Sequence, residues 1–322
     1  MPIVEPVIST HGLSCRFGQN VAVSRLTLDV YRGEVFGFLG HNGAGKTTTV
    51  RLLNGVLAPS DGTARVFGHD PVREGAEVRK RTGVLPETPA LDERLTAREN
   101  LRVFGAIYDV PASEVETRAD KLLSDMELAG RADERVGGFS KGMKQRLALA
   151  RLLLHDPEIL FLDEPTASLD PVASRLLYSR IRELSRDGQR TVFLCTHNLA
   201  EAELLCDRVA VLAQGRLLAL GTPTELAHRF GEAHEVSIDI GVGQAILAIQ
   251  ALLRVDGIAV PVASDGSTTI TIPRVRRERI PDLVQALATA GISVYRVTHR
   301  EPTLEDVYFA LQDDASMQGP VR

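Results

Sequence analysis

Three absences limit what this protein can be. Cysteine is scarce: the 322 residues include three, an odd number without close metal-binding spacing, which favours reduced, buried thiols over a disulfide framework. No apolar run approaches the ~20 residues that span a bilayer. The first residues also lack a basic region followed by an apolar stretch. We therefore expect a soluble chain without a secretory signal, whose role at any membrane would need a partner.

An excess of positive charge is also missing. The formal net charge is -5 and the pI is about 5.9, which argues against a generally basic nucleic-acid binder. Hydrophobic residues make up 44% of the chain, enough for a large core in one large domain or two smaller ones.

The most informative motif spans residues 40–48 and fits the pattern G-x-x-x-x-G-K-[ST]. It follows an apolar run that predicts a buried strand and precedes the first turns of a predicted helix, the setting that this motif requires. Its glycines allow successive N–H groups to point into one concavity, which would bind phosphates. The loop consists of Gly40, His41, Asn42, Gly43, Ala44, Gly45, Lys46, Thr47 and Thr48.

Apolar runs alternate with helical patterns over residues 1–230. The uninterrupted run at residues 159–162 is typical of a strand buried on both faces of a sheet. Residues 88–155 are instead mainly helical in pattern, with a capping box formed by Thr96 and Glu99. The sequence predicts an α/β fold with a largely parallel sheet and a helical insertion.

The pattern changes near Phe230. Residues 233–312 predict the order strand, helix, strand, strand, helix, strand, which is typical of a small ferredoxin-like α+β domain. Its second and third strands are expected at residues 258–262 and 268–272, around a turn at Asp265-Gly266. A last helix is expected at residues 304–311, and residues 313–322 are predicted to be disordered. We interpret this region as a regulatory or dimerisation domain.

Two acidic residues follow the buried strand at residues 159–162. Asp163 at a strand end beside a phosphate loop can hold Mg²⁺, and Glu164 is free to orient or deprotonate an attacking water. Alone, such a pair is commonly a surface turn. A phosphate loop in the same chain favours the functional interpretation.

Four other positions have a functional and an ordinary interpretation. Ser140 can cap the helix that follows it and leave free N–H groups there, which would form a second anion site. His197 ends a core strand, where ligand-facing residues occur in such sheets. Phe17 could stack on a base, and Glu87 could face the site. The ordinary alternatives are a plain helix cap, a packed aromatic and solvated side chains.

Together these motifs resemble the ATP-binding cassette (ABC) family over about residues 8–230. The resemblance rests on the phosphate loop, Ser-x-Gly-Met-x-Gln at residues 140–145, the Asp-Glu pair, Ser168-Leu169-Asp170-Pro171 and His197. It implies that the phosphate loop, with Lys46, holds the phosphates of ATP and that Phe17 stacks on adenine. It also implies that Thr47 and Asp163 bind Mg²⁺.

The same resemblance implies a catalytic role for Glu164 as the base and a contact from His197 to the γ-phosphate. Ser140 and Gly142 would reach the γ-phosphate of a second copy, and Asp170 would lie in the loop that crosses this interface. Two chains would then sandwich two ATP molecules head to tail, which accounts for the second anion site.

Two positions depart from the usual family pattern. The Leu-Ser-Gly-Gly-Gln signature is replaced by Phe139-Ser140-Lys141-Gly142-Met143, and Glu87 takes the place of the Mg²⁺-contacting glutamine, where its carboxylate could approach the metal directly or through water. Both features, with residues 301–308, are similar to the daunorubicin-resistance type of ABC-2 exporter. This subgroup implies polytopic permease partners and a position at the cytoplasmic face of the plasma membrane, with no nucleic-acid partner.

Two alternatives remain open at this point. One is a soluble ABC protein that acts on ribosomes or DNA, although the single phosphate loop and the lack of sustained heptads argue against the known types. The other is a switch that binds ATP without turnover, against which Glu164 and His197 argue.

Overall fold

A computed structural model describes residues 5–167, 169–186, 190–230, 235–263, 268–300 and 302–317. The chain divides into two structural units, Met1–Pro223 and Thr224–Arg322. This division lies at the start of the helix Pro223–Phe230, a few residues before the boundary predicted near residue 230. Ser168 and the predicted turn at Asp265-Gly266 lie outside the described residues.

Nine strands and seven helices are described within the first unit, and an eighth helix starts at its end. The strands are β1 (Pro6–Phe17), β2 (Asn20–Tyr31), β3 (Val35–Leu39), β4 (Asp61–Val66), β5 (Thr82–Leu85), β6 (Ile159–Asp163), β7 (Thr191–Thr196), β8 (Arg208–Ala213) and β9 (Arg216–Gly221). The helices are α1 (Lys46–Leu53), α2 (Gly75–Lys80), α3 (Ala97–Ile107), α4 (Ala112–Asp125), α5 (Lys141–Leu153), α6 (Pro171–Arg186), α7 (Leu199–Leu205) and α8 (Pro223–Phe230).

A six-stranded sheet in the order β5-β6-β7-β3-β8-β9 forms the centre of this unit. Its first five strands are parallel and β9 is antiparallel, which confirms the predicted α/β fold. Every residue of β3, β6 and β7 is buried, as expected for strands covered on both faces. Since β3 and β6 end on the same edge of the sheet, the phosphate loop and the Asp-Glu pair meet there.

A second sheet, with the order β2-β1-β4, is antiparallel. The sequence pattern does not indicate that these strands form a sheet separate from the main one. The tight turn between β1 and β2 pairs Phe17 with Asn20, so the end of β1 is held at a defined place in this sheet.

The helical insertion contains α3, α4 and α5. The predicted capping box at the start of α3 is confirmed: Thr96 Oγ1 accepts a hydrogen bond from Glu99 N at 3.1 Å, and Glu99 Oε2 accepts one from Thr96 N at 2.8 Å. None of the helices in the described ranges combines the length and apolarity needed to cross a bilayer. The three cysteines, Cys15, Cys195 and Cys206, are buried and free.

The second unit contains a three-stranded antiparallel sheet. Its elements are β10 (Glu235–Ile240), α9 (Ala245–Leu252), β11 (Thr269–Ile272), α10 (Ile280–Thr289), β12 (Val294–Arg300) and α11 (Leu304–Met317). The sheet order β11-β10-β12, with Val262 bridged to the outer side of β11, follows the ferredoxin-like arrangement. The predicted strand at residues 258–262 is reduced to this bridge, because Pro261 has no N–H to donate to a ladder.

The last helix is longer than the sequence pattern predicts. Helix α11 continues to Met317, past the predicted end at Leu311. No proline or glycine occurs between residues 312 and 317 to end the helix. Residues 318–322 lie outside the described part of the chain.

Candidate nucleotide-binding site

The phosphate loop connects β3 to α1 in a conformation that two glycines permit. Gly43 and Gly45 have φ values of 85° and 108°, which side chains with a Cβ rarely adopt. A Cβ at Gly45 would lie 2.4 Å from the carbonyl oxygen of Ala22, so the loop could not pack against β2 with a larger residue. The loop leads directly into α1, which has no side-chain cap, so the first backbone N–H groups of this helix can bind an anion.

Lys46 is held inside this loop. Its side chain is 6% exposed, and Nζ donates to the carbonyl oxygen of Gly40 at 2.7 Å. Nζ also lies 3.1 Å from Glu164 Oε1. A buried ammonium group is thus placed between the loop and the acidic strand end, where it can attract the charge of a phosphate chain.

Thr47 connects the loop to the end of β6. Its Oγ1 donates to Asp163 Oδ2 at 2.7 Å. Burial raises the pKa of the Asp163 carboxyl, the Thr47 hydrogen bond opposes this, and the nearby Glu164 carboxylate adds to the rise. The hydroxyl oxygen of the exposed Thr47 and a carboxylate oxygen of the buried Asp163 therefore lie close together, a donor set that suits Mg²⁺.

Glu164 lies at the point where the strand ends meet. Its backbone has a φ of 50°, an unusual conformation for a non-glycine residue, and its N–H donates to the carbonyl oxygen of Cys195 on β7. Glu164 is 7% exposed, and its Oε2 lies 2.9 Å from Nδ1 of His197. The two predicted catalytic residues are thus in direct contact, with the histidine on the exposed side.

A cavity of about 630 Å³ lies over the phosphate loop. Phe17, which is 51% exposed, lines it together with Glu87, Asp163 and Glu164. Seven residues of the loop line it as well: His41, Asn42, Gly43, Gly45, Lys46, Thr47 and Thr48. An aromatic face, a phosphate loop and a set of carboxylates are therefore brought to one concave surface, whereas Gly40 and Ala44 lie buried beneath it.

The remaining predicted residues do not line this cavity. Ser140 is exposed and its Oγ accepts a hydrogen bond from Met143 N at 3.2 Å, which confirms its predicted role as the cap of α5. Asp170 is also exposed and caps α6, accepting from Val172 N and Ala173 N at 2.9 Å. A Cβ at Gly142 would lie 3.5 Å from that of Ala173, so Gly142 lies beside the start of α6.

Sequence comparison identifies the family. A model of the ABC transporter domain matches residues 23–167. The Nod factor export ATP-binding protein I of Ralstonia nicotianae is 38% identical over 95% of this chain and 94% of that protein. The daunorubicin resistance ATP-binding protein DrrA3 of Streptomyces coeruleorubidus is 39% identical over 97% of this chain and 98% of its own length. This chain belongs to the ABC transporter family.

A solved structure agrees with this assignment. The ATP-binding subunit of an ABC transporter superposes with a TM-score of 0.64 at 33% identity, covering 70% of this chain and 93% of that one. The chain is accordingly an ATP-binding and ATP-hydrolysing subunit of an ABC transporter. Its predicted similarity to the exporter subgroup is confirmed by relatives named for export and drug resistance.

Several residues of this ABC subunit's site were missed at the level of sequence. Asn20, Val21, Ala22 and Gln214 line the cavity; the first three begin β2, and Gln214 lies in the turn between β8 and β9. These residues are far from residues 40–48 in sequence, and only the fold places them beside the phosphate loop. Gln145 was part of the quoted motif without a role; in the structure it is buried, and its Nε2 donates to the carbonyl oxygen of Pro165 at 2.8 Å.

Proposed function

We propose that this chain hydrolyses ATP within a head-to-tail dimer and that this reaction drives export through separate membrane-spanning subunits. The observation that carries the proposal is the convergence of Lys46, Thr47, Asp163 and Glu164 at one edge of the sheet under an open cavity. The direction of transport is supported by the two relatives, which match along nearly their full length and are named for export and for drug resistance.

Mg²⁺ fits the residues at this edge. Thr47 Oγ1 and Asp163 Oδ2 are 2.7 Å apart, and Glu87 contributes a carboxylate to the same cavity. The described residues contain no cluster of three or more potential metal ligands, so a cation here would also need oxygen ligands from the substrate and water. When bound, Mg²⁺ would neutralise charge on the β- and γ-phosphates.

The chain's own residues supply the rest of the reaction. Phe17 presents an exposed ring to the adenine, while Lys46 and the loop N–H groups hold the phosphates. Glu164 accepts a proton from a water whose oxygen attacks the γ-phosphorus; the bond to the β-phosphate oxygen breaks, and ADP leaves with that electron pair. His197 limits the mobility of the Glu164 carboxylate through their 2.9 Å contact and itself remains accessible to the γ-phosphate.

A second copy of the chain would complete the site. Ser140 and Gly142 lie at the start of α5, and their segment is accessible rather than turned into the cavity of its own chain. The capped start of α5 has N–H groups and a positive helix end that can receive the γ-phosphate of the partner. Asp170 shapes the adjoining segment by capping α6, so that this segment would lie at the same interface.

Helix α3 offers a docking surface for the membrane partner. Val103 and Ile107, one turn apart on this helix, are 51% and 67% exposed. The helix follows the segment that begins at Glu87, so closure around ATP can reach it through a short stretch of chain. A polytopic permease in the plasma membrane, with this chain at the cytoplasmic face where ATP is supplied, would fit such a surface.

A first experiment tests the catalytic assignment. Glu164→Gln should bind ATP and accumulate as an ATP-bound dimer with less than about one hundredth of the wild-type turnover, because the amide cannot accept the proton. Size-exclusion chromatography with ATP, and release of labelled phosphate, measure the two properties. Wild-type hydrolysis by this variant would overturn the assignment of Glu164.

A second experiment tests the transport assignment. The full chain, tagged and isolated from membranes in mild detergent, should co-purify with a polytopic membrane protein, whereas Val103→Asp with Ile107→Asp should lose it. Recovery with ribosomes or DNA would instead favour the soluble alternative. Lys46→Ala serves as a control, because it should impair ATP binding but leave the α3 surface intact.

A further inference from the structure

We infer that Glu201 is a positioning residue: it holds the segment that carries Glu164 in register with the segment that carries His197. This inference rests on the proposed function, which assigns these two residues to catalysis. Glu201 lies in α7, is 2% exposed and does not line the cavity over the phosphate loop.

The carboxylate of Glu201 bridges two separate parts of the chain. Its Oε1 accepts a hydrogen bond from Thr166 Oγ1 at 3.0 Å, and its Oε2 accepts one from Thr196 Oγ1 at 2.7 Å. Thr166 follows Glu164 by two positions, and Thr196 immediately precedes His197. One side chain thus fixes the residues that flank both catalytic groups.

These contacts close a ring through the site. Glu164 Oε2 and His197 Nδ1 are 2.9 Å apart on one side, and the Thr166–Glu201–Thr196 bridge joins the same two segments on the other. The backbone N–H of Glu164 also donates to the carbonyl oxygen of Cys195 at 2.9 Å, which continues the pairing of β6 with β7. Loss of the bridge would therefore let the two segments shift relative to each other while the sheet remained intact.

A simple helix-capping role does not explain this geometry. Glu201 is the third residue of α7, where a glutamate side chain ordinarily accepts from the N–H of the capping residue. Here the capping residue is Asn198, and its N–H donates instead to Thr196 Oγ1 at 3.0 Å. Both oxygens of Glu201 are therefore available for the two threonines, unlike those of Glu99 in the capping box of α3.

The surroundings of Glu201 are consistent with a specific role. Among the described residues, no basic side chain forms an ion pair with it, so a carboxylate is kept in the interior with hydroxyl donors as its side-chain partners. Burial of such a group costs free energy that a glutamine or a small apolar residue would avoid. This cost is understandable if the site requires one side chain that accepts hydrogen bonds from two hydroxyl groups at once.

The test compares Glu201→Ala with Glu201→Gln in the full chain. The alanine variant should lower kcat for ATP hydrolysis by about 10- to 100-fold and change ATP affinity by less than about threefold, because misplacement of catalytic groups acts on the chemical step. The glutamine variant should stay within about fivefold of wild type. Its amide can still bridge the two threonines if one hydroxyl accepts a hydrogen bond from the amide nitrogen instead of donating one. Equal kcat values for alanine and wild type would overturn the inference.

A double-mutant cycle separates positioning from a general loss of structure. In a His197→Ala background, Glu201→Ala should reduce the residual kcat by less than about threefold. Without the imidazole of His197, the alignment of its segment with that of Glu164 no longer affects the reaction. Full additivity of the two effects would contradict the inference. As a control, Glu34→Ala removes a partly buried carboxylate that accepts hydrogen bonds from Arg208 just before the start of β3, and it should leave kcat within about twofold.

A second pair of variants covers the case in which Glu201→Ala does not fold. Thr166→Val removes one hydroxyl without changing the shape of the side chain and should lower kcat several-fold, whereas Thr166→Ser should restore it. Indistinguishable valine and serine variants would contradict the inference. Glu164→Gln is assayed beside them: if it hydrolyses ATP normally, the proposed function fails; if it is inactive while the Glu201 and Thr166 variants are normal, only this inference fails.

Discussion

The phosphate loop with its acidic strand end and the signature segment, residues 139–145, differ in the partners that their polar side chains find within the same chain. Lys46, Asp163 and Glu164 are buried at 6–7% exposure, and each has a charged or hydroxyl partner in the same chain. Ser140 is exposed, and the hydrogen bond that its hydroxyl accepts from Met143 N caps its own helix. The first region is organised in advance for a phosphate chain, whereas the second presents the start of a helix at the surface. This difference suggests two halves of a site that different copies contribute.

The largest expected effect separates the two halves in a single chain. Lys46→Ala should weaken ATP binding by about 100-fold, since a charged hydrogen bond to phosphate is lost, whereas Ser140→Arg should change it by less than about twofold. Titration with a fluorescent ATP analogue at low protein concentration measures both. Equal weakening by the two substitutions would place both halves in the same chain.

Gln145 sharpens the comparison because it joins the halves within one chain. Gln145→Leu should lower the free energy of unfolding by about 1–3 kcal/mol, since the buried carbonyl oxygen of Pro165 loses its donor. Gln145→Glu should destabilise more, because it places an acceptor against that oxygen. Denaturant unfolding followed by circular dichroism gives both values; a more stable glutamate variant would show that the hydrogen bond is unimportant.

Phe17 should have a smaller, affinity-specific effect. Phe17→Ala should weaken ATP binding by about 5- to 15-fold through lost stacking, and Phe17→Tyr should retain nearly all of it. The same titration with a triphosphate that lacks a base is the control, since its affinity should not depend on the ring. If that affinity falls equally, Phe17 acts on the loop rather than on the base.

The smallest expected effect concerns stability and pH. Burial raises the pKa of Glu201, and hydrogen bonds from Thr196 and Thr166 oppose the rise. A carboxyl whose pKa is raised by folding stabilises the fold below its unfolded pKa and loses this contribution as pH rises through the folded value. The Tm of Glu201→Gln relative to wild type should therefore increase as pH rises from about 5 to 8. The titratable groups that influence or are influenced by this carboxyl are Glu164, His197, Tyr178 and Cys206.

Thermal unfolding at several pH values checks this last prediction. Glu34 provides a comparison, because its pKa is also raised by burial while Arg208 lowers it. Glu34→Gln loses the ion pair with Arg208, so its Tm should lie below that of wild type, but this deficit should shrink as pH rises, because folding also raises the pKa of Glu34. If the Tm of Glu201→Gln relative to wild type falls as pH rises, folding does not raise the pKa of Glu201.

Much of the phosphate-binding half could be predicted from the sequence because its signals are local. The loop at residues 40–48, the buried run that leads to Asp163 and the capping box at Thr96 are each contained within a few neighbouring residues. Their meeting at one edge follows from the rule that parallel strands end together. The observed contacts of Lys46 with Glu164 and of Thr47 with Asp163 agree with that expectation.

Contacts between distant segments could not be predicted in the same way. Glu201 has the pattern of an ordinary helix residue, and only the fold brings it to Thr166. The separate sheet of β1, β2 and β4 likewise depends on pairing between strands that are far apart in sequence. Residues 258–262 show the opposite error: a local apolar run predicted a strand, but Pro261 prevents a regular ladder.

The most direct test of the central claim mixes two inactive variants. Ser140→Arg chains retain Lys46, and Lys46→Ala chains retain Ser140, so a head-to-tail heterodimer contains one complete site. Mixing equal amounts should restore ATP hydrolysis to about a quarter of the wild-type rate, since about half of the dimers are mixed and each has one of two sites. No hydrolysis, despite heterodimers confirmed by differential tagging, would show that the phosphate loop and Ser140 do not act across two chains.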